Sequence, residues 1–217
     1  MAATLRNPKL WVFCVCLLPL LRLIVLGVSG GLGANPIEFI TRSTGTWTLV
    51  GLMVTLSVTP LRRLTGRTDL VRFRRMLGLF AFFYACLHFG TYIWLDQFFD
   101  PAAIAKDIVK RPFVTVGFTA FVLLIPLAAT SNHAMMRHLG RRWQLLHRLV
   151  YLIAALGVVH YLWLVKKDLT SPLIYGAVLA LLLLARLPWG VTLLQTARQR
   201  LAAARSGLAQ EARERRG

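Results

Sequence analysis

Acidic residues are scarce in this chain: 8 Asp and Glu stand against 26 Lys and Arg, a formal net charge of +18 over 217 residues. In a soluble protein that balance points to nucleic acid. Here, however, 57% of the residues are hydrophobic and the mean hydropathy is +0.61, more apolar surface than a soluble domain of this length can bury. The basic residues fall between apolar runs, so the charge belongs to membrane topology and nucleic acid is set aside as a partner.

Other absences narrow the chemistry. The three cysteines form no framework, because Cys14 and Cys16 point to different faces of one helix and Cys86 lies in another span. No C-x-x-C-H occurs, which excludes covalent c-type haem. Gly27, Gly30, Gly31 and Gly33 miss the G-x-G-x-x-G spacing and follow a membrane helix, so no dinucleotide fold is encoded. There is no soluble segment large enough for substrate chemistry.

What is present is six apolar spans, at roughly 10–28, 44–61, 76–95, 113–130, 146–164 and 172–190, each near the ~20 residues that cross a bilayer. The expected fold is therefore all-α, an integral membrane bundle of six transmembrane helices over 1–200 with its core at 44–164 and a basic tail at 201–217. The second span is read as ending at Thr59-Pro60, and no repeat is visible. Arg6 and Lys9 precede an apolar run, but that run is too long for a signal peptide and lacks a clear cleavage site. It is read as a retained helix.

Charge sets the orientation. Arg62, Arg63, Arg67, Arg72, Arg74 and Arg75 crowd one loop, and Arg137, Arg141 and Arg142 another, so both face the cytoplasm. The opposite loops nearly cancel in charge. Both termini are then cytoplasmic, in agreement with Arg198, Arg200, Arg205, Arg213, Arg215 and Arg216 at the end of the chain. The chain is expected as a multi-pass protein of a bacterial inner membrane, with the lipid bilayer as its solvent.

Histidines in the spans carry the functional reading. Ionisable groups are costly at membrane depth, and neutral imidazole is a common haem ligand. His88 lies ~20 Å into span three, and His160 lies ~20 Å beyond His147 in span five, both counted from the cytoplasmic edge at 1.5 Å per residue. His88 and His160 thus share a depth, as two ligands of a six-coordinate haem b on neighbouring helices would. His147 is left at the inner edge, where span three offers Arg74 or Arg75. On an ideal helix His147 and His160 are about 140° apart, whereas Arg74 and His88 fall within about 40°.

Blander roles stay open for each. His88 and His160 could bond a neighbouring helix, His147 could be a solvated interfacial residue, and His133 and His138 read as plain surface residues. Zinc fits poorly, since no acidic residue lies within the spans. Arg22, inside span one, either snorkels to the interface or partners a haem propionate. Tyr84, Tyr92, Trp94, Tyr151, Tyr161 and Trp163 read as an interfacial belt and haem-pocket packing.

A family resemblance rests on an ordered set of pieces. These are Gly33-Ala34-Asn35-Pro36 with Glu38 and Ile40, Thr44-Gly45, Thr59-Pro60-Leu61-Arg62-Arg63, and Arg74-Arg75-Met76-Leu77-Gly78-Leu79 leading to Tyr84 and Leu87-His88. Lys110-Arg111-Pro112, Pro126-Leu127 with Thr130-Ser131, and Trp143 through Leu146-His147-Arg148-Leu149-Val150-Tyr151 to His160 complete it. Over about residues 30–165 the chain resembles the MsrQ (YedZ) family of the ferric-reductase-like transmembrane group.

The resemblance implies a haem b subunit that takes electrons from the quinone pool or a cytoplasmic flavin reductase. It passes them to MsrP, a periplasmic molybdenum enzyme that reduces methionine sulfoxide in proteins. It also implies His88, His147 and His160 as haem-ligand positions, with Arg74 where oxidase-type relatives carry another histidine, and FMN as a further cofactor with no motif to place it. The basic inner loops are where a flavin phosphate would be sought. Such a chain is a redox subunit without its own substrate-reducing active site. Two other readings stand beside it, a transmembrane ferric or metal-ion reductase and a haem-free transporter or assembly factor, although no Gly/Pro-broken helices in paired halves are found.

The orientation is directly testable. Reporter fusions after Arg63, after Arg142 and at Gly217 should give cytoplasmic signals, and fusions near Asp100 or Asp168 periplasmic ones. A cytoplasmic signal near Asp100 would break the span count.

Overall fold

Asparagine, aspartate and proline punctuate the chain. Asn7, Asn35, Asp100 and Asn132 each accept a hydrogen bond from a backbone N–H two or three residues on, and Pro8, Pro36 and Pro101 follow the first three at the position that needs no N–H. The computed structural model describes the backbone of residues 7–214 and the side chains of residues 7–200, 202 and 203. All regular structure among them is helical. The order is α1 (Pro8–Val28), α2 (Pro36–Thr65), α3 (Val71–Thr91), α4 (Pro101–Lys110), α5 (Pro112–Ala129), α6 (His133–Leu139), α7 (Arg141–His147), α8 (Leu149–Leu164), α9 (Thr170–Leu184) and α10 (Pro188–Glu214). A π-helical turn, Tyr92–Asp96, extends α3.

Five of these segments are long and apolar enough to cross a membrane: α1, α2, α3 with its extensions, α5, and α7 with α8. A sixth exists only as the pair α9 and α10, bent by 85°. The span expected at 172–190 is therefore corrected: its helix ends at Leu184. Pro188 restarts the chain, and Gly190 is packed so closely that a Cβ there would lie 2.2 Å from the Leu184 carbonyl oxygen. The helix then runs on through Glu214, over most of the stretch expected as a basic tail, while Arg6, Arg215 and Arg216 lie outside the described residues.

Span two is also corrected. Pro60 does not end α2, which begins at Pro36 and continues to Thr65, capped by Gly66 in the left-handed region at φ 74°. Proline removes the N–H that would have paired with the carbonyl four residues earlier, that of Leu56. Arg186 supplies the donor instead: its Nη2 lies 2.5 Å from the Leu56 oxygen and its Nη1 2.5 Å from the Leu182 oxygen, with the guanidinium over the Tyr151 ring. In hydrocarbon no water would serve those carbonyls, so one arginine permits both the buried proline and the end of α9.

Span five crosses as one segment, Arg141–Leu164, with a tightened turn at Arg148. The Arg148 N–H reaches the carbonyls of Gln144 and Leu145, and the Tyr151 N–H that of Arg148, a tightened turn between α7 and α8. Ideal helical angles therefore do not carry across from His147 to His160.

Four helices make the core. α2 packs antiparallel on α3, and α5 antiparallel on α8; the pairs meet where Phe82 stacks on Phe121 and where Leu49 approaches Gly157. Small residues let backbones close: a Cβ on Gly51 would sit 3.0 Å from the Ala81 Cβ. Leu52, Leu56, Ala81, Leu124, Ile153 and Ala154 fill the centre. α1 lies outside α3, held by Tyr84, whose hydroxyl donates to the Cys16 carbonyl at 2.7 Å and accepts from the Leu20 N–H at 3.2 Å beside Pro19. Tyr84 is thus a clamp on α1, not haem-pocket packing.

Gly51→Leu should force α2 from α3 and cost about 1–3 kcal/mol. Its thermal midpoint in detergent should fall. Gly78→Ala, whose Cβ would meet only the Thr55 methyl at 3.8 Å, should leave the midpoint unchanged or raise it.

Candidate functional site: two facing imidazoles

His88 stands on α3 and His160 on α8, and their ring centroids are 6.1 Å apart with planes at 75°. These helices occupy opposite corners of the four-helix square, so the pair faces across a diagonal rather than between the neighbouring helices expected. Each ring is tied to an adjacent helix. The His88 Nδ1–H donates to the Thr41 carbonyl on α2 at 2.9 Å, and the His160 Nδ1–H to the Phe113 carbonyl on α5 at 2.7 Å. Because a carbonyl only accepts, the proton sits on Nδ1 and the Nε2 lone pair is left free.

The two halves repeat one device. In both, the acceptor precedes the histidine by 47 residues, and one helical turn after the acceptor comes a glycine, Gly45 or Gly117. A Cβ on Gly45 would lie 3.0 Å from His88 Cε1, and one on Gly117 2.6 Å from His160 Nδ1. The glycines are the seats of the rings. An internal repeat therefore exists, contrary to the sequence reading; it recurs in backbone and imidazole while the intervening side chains differ.

The rings border a cavity of about 370 Å³, within the ~300–1,000 Å³ usual for ligand pockets. Its apolar walls include Leu49, Leu52, Ala85, Phe121, Leu124 and Ile153. At its mouth stand Arg42, Tyr92, Asp96 and Arg111. Arg42 is paired with Glu38 at 2.6 Å and Arg111 with Asp107 at 3.3 Å.

This geometry suits a metalloporphyrin. An imidazole nitrogen bonds a transition metal at about 2 Å, and His88 and His160, with ring centres 6.1 Å apart, are the residues that would hold haem iron between them. Among the described residues no group of three or more His, Cys, Asp or Glu could hold a metal ion. His88 and His160 are the two side chains that would hold the iron, and the porphyrin would supply the rest of its coordination.

The remaining candidates fall elsewhere. His147 does not line the cavity; its Nε2 shares a hydrogen bond of 3.0 Å with the Thr130 hydroxyl, and its ring stacks on Trp143 at 3.9 Å. Trp143 donates in turn to the Thr130 carbonyl. Arg74 lies near His147, at the end of α3 away from His88. Arg22 is exposed over the Phe39 ring and is not at the cavity; Arg42 and Arg111, which sequence reasoning missed, are. Tyr92 and Tyr161 line the cavity, whereas Trp94, Tyr151 and Trp163 do not. His133 and His138 are exposed. The missed Gly45 and Gly117 had one signal in the sequence, a glycine inside a span at the same distance before each histidine.

Residues 41–158 match the family described as ferric reductase like transmembrane component. The chain is 59% identical over 184 residues to a protein of Herminiimonas arsenicoxydans named protein-methionine-sulfoxide reductase heme-binding subunit MsrQ, covering 83% of this chain and 84% of the relative. Proteins of the same name from Ralstonia nicotianae and Rhodospirillum rubrum are 58% identical (86% and 87% covered) and 56% identical (84% and 88% covered). No solved structure matches.

Replacing either seat should disturb its ring. Gly117→Ala should lower b-type haem absorbance per protein more than Gly45→Ala, because the intruding Cβ lies closer to His160 than to His88. Equal haem content in both variants and wild type would remove the glycines from the site.

Proposed function

The chain belongs to the MsrQ heme-binding subunits of the ferric-reductase-like transmembrane family, and on that premise we propose that it carries electrons across a bacterial inner membrane to a periplasmic, MsrP-like molybdenum reductase of protein methionine sulfoxide. The observation that carries this reading is the facing pair His88 and His160, each with Nδ1 bound and Nε2 free. Haem b held by that pair supplies one-electron carriage with no substrate chemistry of its own.

The chain's residues set the terms of that carriage. The Thr41 and Phe113 carbonyls hold the imidazoles in one tautomer and strengthen Nε2 as a donor. The apolar walls keep water from the centre, and Arg42 and Arg111 at the mouth are placed to meet propionate charge. The pair lies toward the end of the bundle assigned to the periplasm, where the acceptor docks as a separate protein. Electrons enter from the opposite, cytoplasmic end, from the quinone pool or a flavin reductase. His147 and Arg74 stand at that end, and its basic loops are where the FMN implied by the resemblance would be sought.

Purified protein should show a b-type spectrum whose haem is released by acid-acetone. His88→Ala and His160→Ala should each lose most of it, and His133→Ala should keep it. Dithionite-reduced protein should be reoxidised by an MsrP-like enzyme when methionine sulfoxide is present, and only slowly by ferric chelates. Equally fast reoxidation by chelates would favour a metal-ion reductase, and a missing Soret band would end the haem reading.

A further inference from the structure

A second recess lies on the other side of α3, away from the imidazoles. It is a groove of about 810 Å³ between α1, α3 and α6 at the basic-loop end of the bundle. Its walls are apolar, with Phe13 from α1 and Leu79, Phe80 and Phe83 from α3. Four basic side chains, Lys9, Arg72, Arg75 and His133, line the same groove. They come from three helices that otherwise share little contact. None takes part in the ion pairs found among the described residues, and the nearest acid in sequence, Asp69, is held by Arg67 at 2.9 Å.

We propose that this groove binds one anionic phospholipid, its phosphodiester headgroup on Lys9, Arg72, Arg75 and His133 and its acyl chain along the phenylalanine wall. The chemistry selects among amphiphiles. Basic pockets between transmembrane helices at this level recognise anionic headgroups. A flavin would leave the carbonyls and nitrogens of its ring unpaired against Phe13, Phe80 and Phe83, which is unfavourable for buried polar atoms. A quinone head is neutral and gives the charges of Lys9, Arg72 and Arg75 no counter-charge. The lipid also answers a structural need. α1 meets α3 through Tyr84 and the Phe13–Phe80 contact at 5.1 Å and α2 through Arg22 over Phe39, and a lipid between α1, α3 and α6 adds to that packing at the basic-loop end.

The test uses full-length protein and is independent of its haem. Native mass spectrometry after detergent washing should show one phosphatidylglycerol or cardiolipin retained per chain, with phosphatidylethanolamine washed away. Since each surface cation contributes about fivefold to anionic lipid binding, Arg72→Gln with Arg75→Gln should weaken retention about 25-fold. Arg72→Lys with Arg75→Lys should keep it. Arg141→Gln with Arg142→Gln removes two cations from the neighbouring basic loop and should also keep it. Equal loss in the Arg141/Arg142 variant, loss in the lysine variant as great as in the glutamine one, or displacement of the lipid by FMN or a quinone would each overturn the proposal.

Discussion

The site depends on two backbone carbonyls in the helix walls that each accept a further hydrogen bond, from an imidazole. Thr41 and Phe113 fix the Nδ1 protons of His88 and His160, and that bond is possible only because Gly45 and Gly117 leave room for the rings. Any side chain at either glycine would occupy the space of the ring. The close pairing of α2 with α3 and of α5 with α8 therefore serves packing and ligand orientation together, and the cavity between the pairs is what remains once the rings are seated.

Around that centre the protein solves a problem that membranes impose. Every backbone polar group removed from water needs a partner inside the protein. Three prolines sit within the long helices, at Pro19, Pro60 and Pro126. At Pro60 the freed Leu56 carbonyl is met by Arg186, and beside Pro19 the Tyr84 hydroxyl engages the Cys16 carbonyl and the Leu20 N–H. Arg186 and Tyr84 are thus the fasteners that hold α9 and α1 on the core.

The two ends of the bundle differ in kind. The end bearing Asp96 and Asp107 opens onto the cavity, with Arg42 and Arg111 already engaged in ion pairs. The opposite end holds the arginine-rich loops, the His147–Trp143–Thr130 cluster and the basic groove beside α1. The imidazole pair and its cavity thus lie toward one end of the bundle and the arginine-rich loops at the other.

Hydropathy, charge and helix rise in the residues themselves determined the helical membrane class, most span positions and the common depth of His88 and His160, because those follow from period, length and sign alone. They could not place side chains around the helices. That Pro60 would stay inside α2, that the last span would bend after Leu184, that Arg22 would stack on Phe39 while Arg42 and Arg111 reach the cavity, and that His147 would turn to Thr130 were decided by tertiary contacts. The repeat of carbonyl, glycine and histidine was hidden for the same reason. A carbonyl is common to every residue, so its partnership with a ring 47 positions away exists only once the helices are packed.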